Sequence, residues 1–247
     1  MAPGLDRILE TGAAALLFAV VFLVGARMHP LRLLLRDHRS GISFGAGMSV
    51  AYVFVHLMPE LHSVRSAFVE SVSMPLRYEG MAIYYVALVG FLVFYGLDHL
   101  SSHLKVAEEE GTVDRAFKLD VGGFAAYVCL MAYLLVHNLE ESTVSTAFFA
   151  ITIAVHFLAV DHSLAGEHGA AYRRIGRFVL AGMSVLGWGL GVLFALPQHV
   201  LALLVAFISG AVIMNSTIME LPSDRDGRFL PFVAGGLLYG LILLPLR

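Results

Sequence analysis

Residues 134–142 read Leu134-Leu-Val-His-Asn-Leu-Glu-Glu-Ser142, and residues 154–162 read Ala154-Val-His-Phe-Leu-Ala-Val-Asp-His162. Both stretches lie in chain apolar enough to sit in a lipid bilayer. An ionisable residue at the centre of a membrane helix costs about 2.5–3.5 kcal/mol on insertion scales, so where it is kept it usually lines a pathway or binds something. His137, Asn138, Glu141, His156 and Asp161 fall on two consecutive segments of this kind. They supply nitrogen and oxygen ligands and no thiolate, a set that suits a borderline divalent ion such as zinc, iron or manganese.

The surrounding chain supports a membrane reading. Of its 247 residues, 58% are hydrophobic and 14% charged, and the mean hydropathy is +0.80; such a composition belongs to a membrane protein. Cys129 is the single cysteine, which excludes a disulfide framework and a cysteine-rich metal site. The net charge of −3 comes with no basic run of the kind that binds nucleic acid. Residues 1–12 carry Asp6, Arg7 and Glu10, so they lack the positive region of a signal peptide, and the first apolar run is expected to be a retained span.

Apolar windows separated by polar turns predict an all-α integral membrane protein of eight helices in a single transmembrane domain. They fall near 8–27, 41–62, 79–103, 119–141, 146–165, 173–195, 198–221 and 229–246, each near the roughly 20 residues that a bilayer requires. Lys and Arg give the direction. Twelve of the 16 fall in the connections after helices 1, 3, 5 and 7 (Arg27, Arg32, Arg36, Arg39, Lys105, Arg115, Lys118, Arg173, Arg174, Arg177, Arg225 and Arg228), and four lie on the opposite side. Positive residues stay inside, so both termini are expected outside. The acidic run Glu108-Glu-Glu110 before Gly111 then belongs to a cytoplasmic loop, either a solvated linker or a weak ion-attracting vestibule.

Helix 2 contains Gly47 twelve residues before Pro59, and helix 7 contains Gly210 twelve residues before Pro222, with small residues just ahead of each glycine. The two helices would cross in opposite directions. This predicts an inverted repeat of helices 1–3 and 6–8 with helices 4 and 5 inserted, a 3+2+3 plan common among secondary transporters, whose sites lie near the midplane.

At roughly 1.5 Å of rise per residue, these helices place a series of polar groups at different depths. His56 and Glu60 fall toward the outer end of helix 2, and His137, Asn138 and Glu141 toward the outer end of helix 4. His156 lies near the middle of helix 5 with Asp161 and His162 further in, and Asn215, Ser216 and Glu220 fall in the inner part of helix 7. His137 and Glu141 are i,i+4, and Asn138 and Glu141 are i,i+3, so the three share a face. His156 and Asp161 are five apart, about 140° around a straight helix, and cannot both point at one ion. Several of these groups have a plainer reading. Glu140 and Glu141 can be interfacial carboxylates at a helix end, His56 to Glu60 a proline-broken end, and His99, His103 and His162 interfacial polar residues. Met48, Met58, Met214 and Met219 read as packing rather than as soft ligands.

On these residues the chain resembles the ZIP (Zrt/Irt-like) family of divalent-metal transporters. The family's helix 4 pattern, His-Asn-x-x-Asp/Glu-Gly, is similar to His137, Asn138 and Glu141, with Ser142 in place of the glycine. His56-Leu-Met-Pro-Glu60 and Glu220-Leu-Pro222 resemble the ends of helices 2 and 7. The family's helix 5 pattern, His-(Asn/Glu)-x-Pro-(Glu/His), is met at His156, while Phe157, Ala159 and Val160 depart from it and Asp161 supplies a trailing carboxylate. The resemblance implies eight helices, outward termini, metal ligands on helices 4 and 5, and transport of zinc or a similar divalent ion toward the cytoplasm, without enzymatic activity. The departures in helix 5 argue against a binuclear site.

The metal set read from the sequence is therefore His137, Asn138, Glu141, His156, Asp161, His56, Glu60 and Glu220, with the ion as cargo and no organic cofactor. The location implied is the plasma membrane, or the inner membrane of a bacterium. Two other functions fit parts of the chain. One is a ZIP-fold metal sensor or scaffold that no longer transports. The other is an intramembrane metal-dependent hydrolase built on Asp98, His99, Ser102 and His103. Gly236-Leu-Leu-Tyr-Gly240 could pack a second copy closely as a homodimer, or pack a helix of the same chain.

Overall fold

The structure, a computed structural model, describes residues 4–25, 38–72, 79–106, 112–137, 143–219 and 227–244. Among these residues the regular structure is helical and there is no strand. The helices are α1 (Leu5–Val24), α2 (His38–Tyr52, a π turn Val53–Leu57, then Met58–Ser71), α3 (Glu79–Val106) and α4 (Thr112–His137). They continue with α5 (Thr143–Ala171, followed by a π turn Tyr172–Gly176), α6 (Arg177–Leu193), α7 (Gln198–Met214 with a π turn Asn215–Met219) and α8 (Phe229–Leu243). Among the described residues six stretches are long and apolar enough to cross a bilayer: Leu5–Val24, Ser43–Ser71, Gly80–Lys105, Asp114–His137, Ala150–Leu193 and Gln198–Ile218. By length and composition this is an integral membrane protein.

Three boundaries differ clearly from the sequence expectation, two of them for a visible physical reason. α2 does not end near residue 62 but runs past Pro59 to Ser71. A proline lacks the N–H for its i−4 carbonyl and its ring crowds that carbonyl; the π turn Val53–Leu57 widens the helix just before it. α5 runs past 165, and Gly169 then takes φ 51° and ψ −114°. An L side chain rarely adopts that conformation, so glycine supplies a break within the 44-residue apolar stretch Ala150–Leu193. α4 starts at Thr112 rather than near 119. Glu108, Glu109, Glu110 and Gly111 lie outside the described residues.

The helices gather into two compact units. One holds α1, α3 from Phe94 onward, α4, α5 and α6. In it α6 lies against α4, with Gly187 facing the Cys129 carbonyl and Gly191 facing the Tyr133 carbonyl and Val136. Residue numbers rise together along this contact, so the two helices are parallel. α1 packs on α6 through Gly12, where a Cβ would come within 3.1 Å of the Trp188 ring. The indole Nε1–H of Trp188 donates to Thr11 Oγ1 at 3.2 Å. Phe18 and Phe22 of α1 meet Phe157 of α5, with ring centroids 5.1 and 5.2 Å apart.

The other unit holds α2, α3 up to Val93, α7 and α8. Here α2 and α8 cross so closely that a Cβ on Gly47 would collide with Phe232 O and crowd Gly236 N, and one on Gly235 would collide with Phe44 O. α7 and α3 repeat the crossing: a Cβ on Gly210 would collide with Ala87 O and crowd Phe91 N, and one on Gly90 would collide with Phe207 O. The residues correspond at constant offsets. Gly47 with Gly210 and Phe44 with Phe207 are each 163 apart, while Phe232 with Ala87, Gly235 with Gly90 and Gly236 with Phe91 are each 145 apart. Gly236 also faces Gly47, and Gly240 faces Ala51 and Val55. The small residues of α8 are therefore engaged with α2 of the same chain.

Candidate functional site

The first unit buries ionisable groups in apolar helices. Asp161 is 0% exposed on α5, and its Oδ1 accepts a hydrogen bond of 2.6 Å from the Tyr172 hydroxyl. Tyr172 lies beyond the Gly169 break, so the turn into α6 folds a phenol back onto the carboxylate. The end of α1 closes over the same group: a Cβ on Gly25 would come within 2.8 Å of Asp161 Oδ2. His156, 9% exposed, has its Nε2 3.1 Å from the Tyr127 hydroxyl of α4, the direction of the bond following the imidazole tautomer. Each of the two α5 groups thus has its own tyrosine, brought from a different part of the chain.

Between them, Phe157 is fully buried against Phe18, Phe22 and Tyr127. Where the resemblance implies a ligand, this chain has a ring that closes α5 onto α1. Val160 is buried as well, and Ala159 is exposed.

His137, the last described residue of α4, has its ring 4.9 Å from that of Tyr133, and its buried Nε2 has no hydrogen-bond partner among the described residues. A buried imidazole nitrogen left in this state fits a position that a cation or water can take. Asn138, Glu141 and Glu220 lie outside the described residues. His56 and Glu60 meet in the other unit at the π turn of α2, with Nε2 and Oε2 3.7 Å apart and the His56 ring stacked on Tyr52.

The described residues do not bring the expected ligands into one group. The three donors that come within 4.8 Å of one another are Asp120, Glu167 and His168, none of which the sequence pointed to. Asp120 Oδ2 accepts from Ser101 Oγ at 2.6 Å, lies 2.8 Å from His168 Nε2 and 3.0 Å from Lys105 Nζ. Lys105 also meets Glu167 Oε2 at 2.6 Å, and Ser163 Oγ donates to Glu167 Oε1 at 3.0 Å. The end of α3, the start of α4 and the end of α5 are tied together here. Lys105 sits between the two carboxylates where a divalent cation would have to sit, and its charge already answers theirs. The arrangement is an ion-paired clamp. The adjacent pair Glu167-His168 was a usable signal, but the end expected at 165 assigned both residues to a loop.

On α3, His99 and His103 bring their Nε2 atoms within 3.1 Å on an exposed face. Ser102 is exposed, and it is the buried Ser101 that joins the half-exposed polar network at Asp120.

No family model, no curated protein and no solved structure matches the chain.

Proposed function

We propose that this protein carries divalent cations, zinc or an ion of similar chemistry, across a membrane toward the cytoplasm. The observation that carries the reading is the complete burial of Asp161 in an apolar helical unit, with His156 nearby on the same helix. A buried carboxylate is costly in such surroundings and is kept where it serves an ion's passage. His137, with Asn138 and Glu141 after it, is the outer station, His156 the middle one and Asp161 the inward relay. His56 and Glu60 form a second outer polar pair, and Glu220 an inner one. Oxygen and imidazole donors of this kind suit a borderline divalent ion that exchanges partners as it moves.

The topology proposed with this function has eight crossings, with α5 and α6 parted at Gly169 and the short α8 as the last. Both termini face outward, and helices 1–3 and 6–8 form an inverted repeat around α4 and α5. Several contacts support the alternation. The end of α3 meets the start of α4 at Asp120, and the Tyr133 hydroxyl near the end of α4 donates to the Phe194 carbonyl just after α6 at 3.0 Å. Arg228 N, at the start of α8, donates to Ser43 Oγ near the start of α2 at 2.9 Å. The matched glycine crossings of α2 with α8 and α7 with α3 support the repeat. A plasma membrane, or a bacterial inner membrane, is the location that goes with this reading.

Metal uptake into proteoliposomes, across zinc, iron, manganese and cadmium, tests the proposal. Wild-type protein should load vesicles, and Asp161→Asn and His137→Ala should each abolish loading while the protein remains folded. Unchanged loading in both variants would sink it. A second reading, a metal sensor or scaffold without transport, is favoured by the packed Phe157 ring. Metal binding to purified protein with no flux in vesicles would identify it.

A further inference from the structure

α7 holds a buried polar side chain that the proposed route does not use. Asn215 opens the π turn Asn215–Met219 and is 2% exposed, between Met214 and Ser216, which are also buried. Neither its Oδ1 nor its Nδ2 has a hydrogen-bond partner among the described residues. Native proteins leave few buried polar groups in this state, and each calls for an explanation. Leucine is close to asparagine in size and would fill the same space without desolvating an amide, so the amide implies a partner.

The two ends of the side chain say what the partner is. Oδ1 accepts and Nδ2 donates. A bare cation would satisfy only the first and an anion only the second, whereas water satisfies both. The backbone agrees, because π turns interrupt the i→i−4 ladder and occur frequently at functional sites. α2 carries its own π turn, Val53–Leu57, and the turn of each helix packs against the straight segment of the other.

We propose that Asn215 and the π turn of α7 form a binding site for water, within the unit that holds α2, α7 and α8. The water is either resident or brought in the hydration shell of a cation. Only that second source rests on the transport reading.

Cysteine accessibility tests the site in the full-length protein. In a Cys129→Ala background, Asn215→Cys is treated with a small, charged, water-borne thiosulfonate and compared with Ala211→Cys, one turn earlier at a fully buried position. A hydrated site should make Asn215→Cys react about tenfold faster, since the thiolate forms only where water reaches. Equal rates would overturn the proposal. Thermal unfolding gives a second readout: Asn215→Leu should lower the midpoint by about 2–4 °C, and a raised or unchanged midpoint would show the amide to be unpartnered and refute the site. Zinc chloride then separates the sources. Protection of Asn215→Cys by zinc assigns the water to an ion's shell, and reaction at the same rate with zinc assigns it to resident water; both results keep the site, and the second does so even if transport fails.

Discussion

Gly47→Ala is the sharpest test of how the α2–α8 unit is built. The added methyl would collide with the Phe232 carbonyl and crowd the Gly236 amide, both of which are backbone and cannot rotate away. Restoring an ordinary contact of about 3.5 Å requires the helices to part by about 1 Å or more. Overpacking of this kind costs about 1–3 kcal/mol, and a backbone neighbour puts it at the upper end. Alanine returns about 0.5–1 kcal/mol in helix propensity, which leaves a net loss of about 2 kcal/mol. For a chain of this size that lowers the unfolding midpoint by about 4–8 °C. Gly210→Ala should cost the same, because its Cβ would meet Ala87 and Phe91 at the corresponding atoms. Gly45→Ala and Gly96→Ala are the controls: nothing lies within 4 Å of a Cβ there, so both should be neutral or slightly stabilising. Gly47→Ala combined with Gly235→Ala should cost less than the two separately, since helices already parted at one crossing accept the second methyl. Midpoints in detergent, followed by light scattering and tryptophan emission, read all of these. A Gly47→Ala variant as stable as Gly45→Ala would refute the close crossing, and a severalfold difference between Gly47→Ala and Gly210→Ala would refute the correspondence.

Other outcomes follow from the first unit. Phe157→Ala removes a fully buried ring and should cost about 3–5 kcal/mol, while Ala159→Leu, on an exposed position, should leave the midpoint unchanged. Lys105→Met takes the cation from between Asp120 and Glu167 and should lower stability by about 1 kcal/mol, a modest figure because the lysine is one-third exposed. The same variant leaves two carboxylates and His168 facing one another, so zinc should raise its midpoint more than it raises that of the wild type; no difference would show that the three donors cannot converge on an ion. Trp188 is the single tryptophan, and Thr11→Val, which removes the acceptor of its indole N–H, should shift its emission to the blue. An unchanged spectrum would place that hydrogen bond in doubt.

What the sequence makes legible here follows from the scale on which each force acts. A bilayer imposes its thickness on every span, so, apart from the early start of α4, apolar windows located the helices to within a few residues except past Pro59 and Gly169. Those exceptions are local backbone events: a π turn lets α2 continue past a proline that reads as an end, and a positive φ breaks a stretch whose hydropathy barely changes. The Gly47 and Gly210 spacing to proline was visible, but Gly90 and Gly235, which complete the two crossings, share no common spacing to a proline that marks them. Asp161 and His156 stood out because charge is rare in apolar chain. Their tyrosines did not, since Tyr127 and Tyr172 look like ordinary aromatic residues of a membrane helix. Lys105, Asp120 and Glu167 come from three helix ends 62 residues apart at the widest, and counting charges by loop gives an expected side for Lys105 but no pairing.

The geometry of α5 bears on how a cation could move along it. Five residues separate His156 from Asp161, about 140° of helical rotation, and the two groups are met by tyrosines that arrive from opposite directions in sequence. Phe157 occupies part of the intervening surface and packs on α1. An ion held by the imidazole therefore cannot be held by the carboxylate at the same time from one straight helix. If the chain carries cations, it does so by handing them from one weak station to the next, a scheme that favours rapid release over tight binding. The clamp at Asp120 shows the contrasting case. There the carboxylates face an ammonium group of the chain itself, and the site is closed to a divalent ion for as long as Lys105 stays in place.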